Sequence, residues 1–144
     1  MNQEHIEPGV GIGKIRFGLI QSEAEILLGK PDKVILGDEI IHIYDKLQMR
    51  LTYYHNEASK LGYIDSSNPN LKYKETQVIN SSIDEVLELL RRASFTEWEI
   101  EEYDSFTSFF NEKSRITLNV EYQLVKSIEF GVPFLNDNEY RWPK

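Results

Sequence analysis

The chain has 144 residues, 40% hydrophobic, 12% aromatic and 28% charged, the profile of one folded domain long enough to bury a single core. It contains no cysteine, which excludes disulfides, thiolate nucleophiles and cysteine-ligated zinc. Sixteen basic residues against twenty-four acidic ones give a formal charge of −8, so a phosphate backbone would be repelled and nucleic-acid binding is disfavoured.

The opening nine residues are polar, with no apolar run that would mark a secretory signal. No later apolar stretch is long enough to span a bilayer, so the expectation is a cytoplasmic protein without membrane contact. Gly9, Gly11, Gly13 and Gly18 invite a phosphate-loop reading, but Leu19-Ile20 follows Gly18 where a Walker loop needs Lys-Ser/Thr. Arg16 stands where a dinucleotide loop needs its third glycine. A tight turn leading into a strand and a helix is the simpler account.

Ser22-Glu23-Ala24-Glu25 reads as a capping box, followed by Ile26-Leu27-Leu28 and the stop pair Gly29 and Pro31, which predicts a helix over about 22–28. The hydrophobic period then changes to two, and segments 34–36, 39–45, 48–54 and 60–65 read as strands. Within the third, Met49, Leu51 and Tyr53 share one face, and Arg50, Thr52 and Tyr54 the other. His42 lies out of phase with Ile41 and Ile43, which predicts a sheet-surface side chain. With no second histidine at ligand spacing, no metal site is expected. Ser66-Ser67-Asn68-Pro69-Asn70 is turn material.

A second capping box, Ser82-Ile83-Asp84-Glu85, opens a helix whose apolar stripe is Ile83, Val86, Leu87 and Leu90, ending near Arg92. Period-two segments follow at 96–103, 106–111, 115–121 and 124–131. The sequence therefore predicts an α+β fold in a single domain, 1–144. Internal repeats at about 9–66 and 74–132 would each be a helix followed by an antiparallel meander, sharing one sheet with the helices on one face.

The opening Gly11-Ile12-Gly13-Lys14-Ile15-Arg16-Phe17-Gly18, then a helix ending Leu27-Leu28-Gly29-Lys30-Pro31, resembles the start of proteins with the β-lactamase-inhibitor-protein-like tandem-repeat fold. Small bacterial immunity proteins of toxin–immunity systems open in a similar way. The motif covers about residues 9–34. What the resemblance implies is a cytoplasmic antitoxin that blocks a cognate toxin by binding it.

The stretch Glu97-Trp98-Glu99-Ile100-Glu101-Glu102-Tyr103-Asp104 carries five acidic residues in eight and no basic one. In a strand, Glu97, Glu99 and Glu101 would line one face, with alternate carboxylates about 7 Å apart. Such a row suits the Arg and Lys cluster of a nuclease toxin. It equally suits a solvated edge strand whose charges deter pairing. The partner-binding candidates are thus Glu97, Glu99, Glu101, Glu102 and Asp104, with Arg50, Thr52 and Tyr54 as a second face. No serine or threonine sits in a nucleophile elbow and no acid pairs with a histidine at short spacing, so no catalytic residue and no cofactor are expected. The leading expectation is an immunity protein acting on a basic toxin. A constitutive protein-binding or assembly module and a small-molecule binder stand as the alternatives. Tyr140-Arg141-Trp142 would either pack back onto the sheet or anchor an interface.

Overall fold

A computed structural model describes residues 4–143 of the chain. Among these residues, β1 (Ile6–Glu7), β2 (Gly11–Ile12) and β3 (Ile15–Arg16) form a small antiparallel sheet, followed by α1 (Gln21–Leu28). Next come β4 (Lys33–Leu36), β5 (Ile40–Tyr44), β6 (Met49–Tyr54) and β7 (Lys60–Ser66). The hairpin of β8 (Lys72–Tyr73) and β9 (Thr76–Gln77) leads into α2 (Ile83–Arg92). The chain then runs through β10 (Glu99–Glu102), β11 (Thr107–Asn111), β12 (Ile116–Glu121) and β13 (Leu124–Gly131). The main sheet has eight antiparallel strands in the order β10-β11-β12-β13-β7-β6-β5-β4.

This corrects the expectation of an α+β fold built from two helix-plus-meander repeats with the helices on one face. The described residues are mostly β, with two short α-helices, the eight-stranded sheet and two small sheets. The helices are not equivalent units. α2 buries Ile83, Val86, Leu87 and Leu90, whereas α1 buries only Ala24. The layer over the inner face is completed by β elements that the sequence presents as turns. Ile6 of β1 and Tyr73 of β8 surround the same small void as Val86 and Leu90, against Ile116 and Ile128 of the sheet. Phe17 meets Phe130 edge-on at 5.6 Å. Gly11 is required where it stands: its φ is +147° and a Cβ would fall 2.0 Å from the Ile15 carbonyl oxygen.

Strand alternation explains the inner face. Met49, Leu51 and Tyr53 of β6, Leu61 and Ile64 of β7, Ile116 and Leu118 of β12, and Val125, Ile128 and Phe130 of β13 are all buried. In β5 the alternation is inverted relative to hydrophobicity. His42 and Tyr44 face inward and are buried, while Ile41 and Ile43 face outward, half-buried. His42 is therefore not a surface side chain. Its Nε2 lies 3.0 Å from Gln21 Oε1 of α1, its ring meets Tyr53 at 4.9 Å, and burial lowers its pKa. Tyr44 donates to the Gly29 carbonyl at 2.9 Å and so ties down the end of α1.

Candidate functional site

The outer face of the main sheet is not covered by either helix, and its side chains follow from register. Directly paired residues of antiparallel strands share a face. One row crosses the sheet as Lys33, Ile43, Arg50, Asp65, Glu129, Thr117, Phe110 and Glu99. A second runs Ile35, Ile41, Thr52, Tyr63 and Gly131. A third joins Ser127, Asn119, Ser108 and Glu101. Along these three rows charge is sorted: Lys33 and Arg50 lie toward β4, and Asp65, Glu129, Glu99 and Glu101 lie between β7 and β10.

The centre of this face is a like-charge pair. Asp65 and Glu129 stand directly opposite on β7 and β13, an arrangement that repels unless the environment compensates. Glu129 is compensated. Its Oε1 accepts from the Tyr63 hydroxyl at 2.5 Å and its Oε2 from Asn119 Nδ2 at 2.7 Å, while the same nitrogen reaches Ser127 Oγ at 2.9 Å. Asp65 is less well served. Burial, then the Glu129 charge, push its pKa up to about 6, and Arg50 only partly offsets them. Tyr63 is pushed well above the ordinary phenol value by burial and by its bond to Glu129. Among the described residues, no group of three His, Cys, Asp or Glu side chains is placed to hold a metal ion. A depression lined by Arg50, Asp65, Gln48, Ser67 and Ser127 opens beside the pair.

The acidic candidates divide by position. Glu99, Glu101 and Glu102 lie on β10, an edge strand exposed at every residue. Glu99 and Glu101 share the outer face with Glu129. Glu97 precedes the strand, where its backbone carbonyl accepts from Asn111 Nδ2 at 2.9 Å. Asp104 is exposed beyond its end, next to Tyr103, whose ring stacks on Phe106 at 4.7 Å. Trp98 is half-buried and donates to the Phe95 carbonyl, whereas Ile100 stays 61% exposed among the carboxylates.

The second candidate face splits as well. Arg50 is exposed and Thr52 half-buried on the open sheet. Tyr54 lies under the C-terminal segment, 5.4 Å from the Tyr140 ring, and burial raises its pKa to about 12. That segment packs back onto the sheet. Tyr140 stacks on Phe134 at 4.9 Å, and Trp142 lies under the Lys60 ammonium at 5.0 Å. Tyr63, Asp65, Asn119 and Glu129 were not singled out from the sequence. The available signal was their shared phase: Tyr63 and Asp65 alternate with buried Ile64, as Glu129 does with Ile128 and Phe130.

No protein-family profile matches the chain, and no curated protein does. Two solved structures are similar in fold. One is a DUF4309 family protein (YjgB) from Bacillus subtilis, at a TM-score of 0.55 and 8% identity over 85% of this chain and 87% of that one. The other is an extracellular protein containing a SCP domain from Bacillus anthracis, at 0.51 and 8% over 79% of this chain; the chain spans 43% of that protein's length. At such identity the likeness is one of fold alone. No helix among the described residues is long and apolar enough to cross a membrane.

Proposed function

We propose that the chain is a non-catalytic protein-binding module whose acidic half-face, from Asp65 and Glu129 to Glu99 and Glu101, receives a basic partner. The narrower reading is that of an immunity protein: the partner is a bacterial toxin domain, a nuclease by charge, met in the cytoplasm. The observation that carries the proposal is the register that sets four carboxylates on the sheet face that neither helix covers and leaves β10 at the edge. Carboxylates in such a row add nothing to the fold, because like charges repel. They are suited to steering a cationic surface and to accepting charge-assisted hydrogen bonds from Arg and Lys. Exposed Tyr103, just past the end of β10, supplies apolar contact near them, while Ile100 points to the other face of the strand.

The test is association kinetics with a basic protein captured from the native cell by the chain, at two salt concentrations. Glu99→Gln/Glu101→Gln should slow association about 3–10-fold at low salt and flatten its salt dependence, since steering scales with the product of charges. An unchanged rate and salt slope would leave β10 as a protective edge only. A second reading, small-molecule binding, is favoured by a cavity of about 220 Å³ against α1, walled by Ile12, Ile15, Leu27, Leu28, Met49 and Leu71.

A further inference from the structure

α1 has Ala24 as its one buried residue, yet Ile26, Leu27 and Leu28 follow it directly. All three line a single cavity of about 220 Å³, together with Ile12 and Ile15 of the first small sheet and Met49 of β6. The apolar residues of this helix are thus gathered around a cavity and not set into the core. Side chains so placed gain from burial only when apolar matter fills the space between them.

The chemistry of the wall decides what kind of guest that is. Ser66 and Asn68 are polar, but both are satisfied within the protein. Ser66 Oγ donates to the Gln48 carbonyl at 2.9 Å and accepts from the Asn68 amide at 3.2 Å. Asn68 Nδ2 donates to the Leu47 carbonyl at 3.0 Å, and its Oδ1 accepts from the Asn70 amide at 2.8 Å. A polar guest would give up its bonds to water and find little in exchange. Among the described residues no aromatic ring lines the cavity, so a planar guest has no ring to stack on. The charges in the lining are Glu4 and Lys14, both exposed and opposite in sign.

We propose that this cavity binds the hydrocarbon chain of a free, medium-length aliphatic amphiphile and leaves its head group in water beside Glu4 and Lys14. Volume sets the length. An apolar cavity of about 150 Å³ holds the six carbons of benzene. In proportion, this one holds about eight. The longer tail of a membrane lipid would leave carbons in water. The proposal rests on the small-molecule reading of this cavity, to which it gives a ligand class, and is independent of the acidic face.

The test is isothermal titration calorimetry of the full chain with straight-chain alcohols from butan-1-ol to decan-1-ol. Octan-1-ol should bind with a Kd of about 0.01–1 mM. Each methylene added to butan-1-ol should tighten binding about threefold to fourfold, and the gain should stop at about eight carbons, when the cavity is full. Naphthalen-2-ol, an apolar alcohol of similar size but planar, should bind about fivefold more weakly than octan-1-ol or worse. Leu27→Trp puts the chain's own bulk into the cavity and should weaken octan-1-ol about tenfold or more. Leu27 is 44% exposed, so the circular dichroism of that variant should match wild type. Methyl NMR of the wild-type chain locates the site without any substitution. Octan-1-ol should shift Ile15, Leu28 and Met49, and should leave Ile116 and Ile128, which face α2, in place. No saturable binding of any of these compounds would end the small-molecule reading and the proposal with it. Binding of naphthalen-2-ol as tight as that of octan-1-ol, or a gain with no limit near eight carbons, would keep that reading and overturn the aliphatic assignment. Unchanged binding by a folded Leu27→Trp, or shifts at Ile116 and Ile128 in place of the cavity methyls, would overturn the site.

Discussion

At the β10 end of the main sheet, α2 sets four apolar side chains into the core, and the edge strand beyond carries Glu99, Glu101 and Glu102. At the β4 end, α1 contributes Ala24 alone, and the edge strand carries Val34, Ile35 and Leu36 in the open. The same sheet is thus sealed and charged at one end, thinly covered and apolar at the other. Packing is carried from the α2 side, so truncations there should unfold the molecule. Apolar residues near β4 and α1 are largely unused by the core, and their loss should leave stability nearly intact. A surface that the fold does not need is where an external contact is to be sought.

The largest expected effect breaks or upholds this contrast directly. Leu87→Ala should cost about 2–5 kcal/mol in a denaturant titration, the range for truncating a buried leucine. Ile26→Ala, at a position 84% exposed on α1, should stay within about 0.5 kcal/mol. Comparable losses at both sites would mean that α1 bears on the core as heavily as α2.

Midway between the ends, Asp65 faces Glu129 across the β7–β13 seam, and here the expected effect is smaller and depends on pH. The folded chain holds the Asp65 proton up to a pKa of about 6, against an ordinary value of 3.8. Between those values the folded state binds more protons than the unfolded one. This group's contribution therefore lowers stability progressively as pH rises from about 4 to 6, and the penalty is complete above that window. Some solvent reaches the carboxylate, so the penalty is best taken as about 1–2 kcal/mol after screening. Asp65→Asn should raise the free energy of unfolding in urea titrations by that amount near neutral pH, and should change little at about pH 3.5, below both pKa values. A variant no more stable than wild type at neutral pH would show that Arg50 fully compensates the pair.

Much of the sheet was legible because strands with one buried face write a period of two. Segments expected at 48–54, 115–121 and 124–131 are found at Met49–Tyr54, Ile116–Glu121 and Leu124–Gly131. The arrangement was read wrongly as paired helical units, since the two-residue strands of the two small sheets, such as β1 and β8, are too short to show any period. Inversion in β5 misled for a different reason. Its buried histidine is held by Gln21 from another element, a partner that no local pattern reveals. The acidic row on β10 was visible as composition. Its continuation through Glu129 to Asp65 depends on which strand lies beside which, and that pairing is set by the β7–β13 junction, 66 and 128 residues into the chain.

The smallest effect tests the two helix starts, which look alike in sequence and are not. Ser82 caps α2, and its Oγ accepts from the Asp84 amide at 3.2 Å. Ser22 caps nothing. Gly18 donates to the Leu61 carbonyl at 2.8 Å and Leu61 donates to the Leu19 carbonyl at 2.7 Å, which pins the chain to β7 and starts the helix two residues early. Ile20 becomes the N-cap, its amide donating to Glu23 Oε1 at 3.0 Å, and Ser22 falls exposed inside the first turn. Ser82→Ala removes a capping acceptor and should cost about 1 kcal/mol. Ser22→Ala removes no intramolecular bond and replaces serine by a better helix former, so stability should hold or rise by a few tenths of a kcal/mol. Thermal melts of the two variants side by side separate the cases. If Ser22→Ala loses as much as Ser82→Ala, the first helix starts at its apparent box after all, and the thin end of the sheet is better anchored than its one buried alanine indicates.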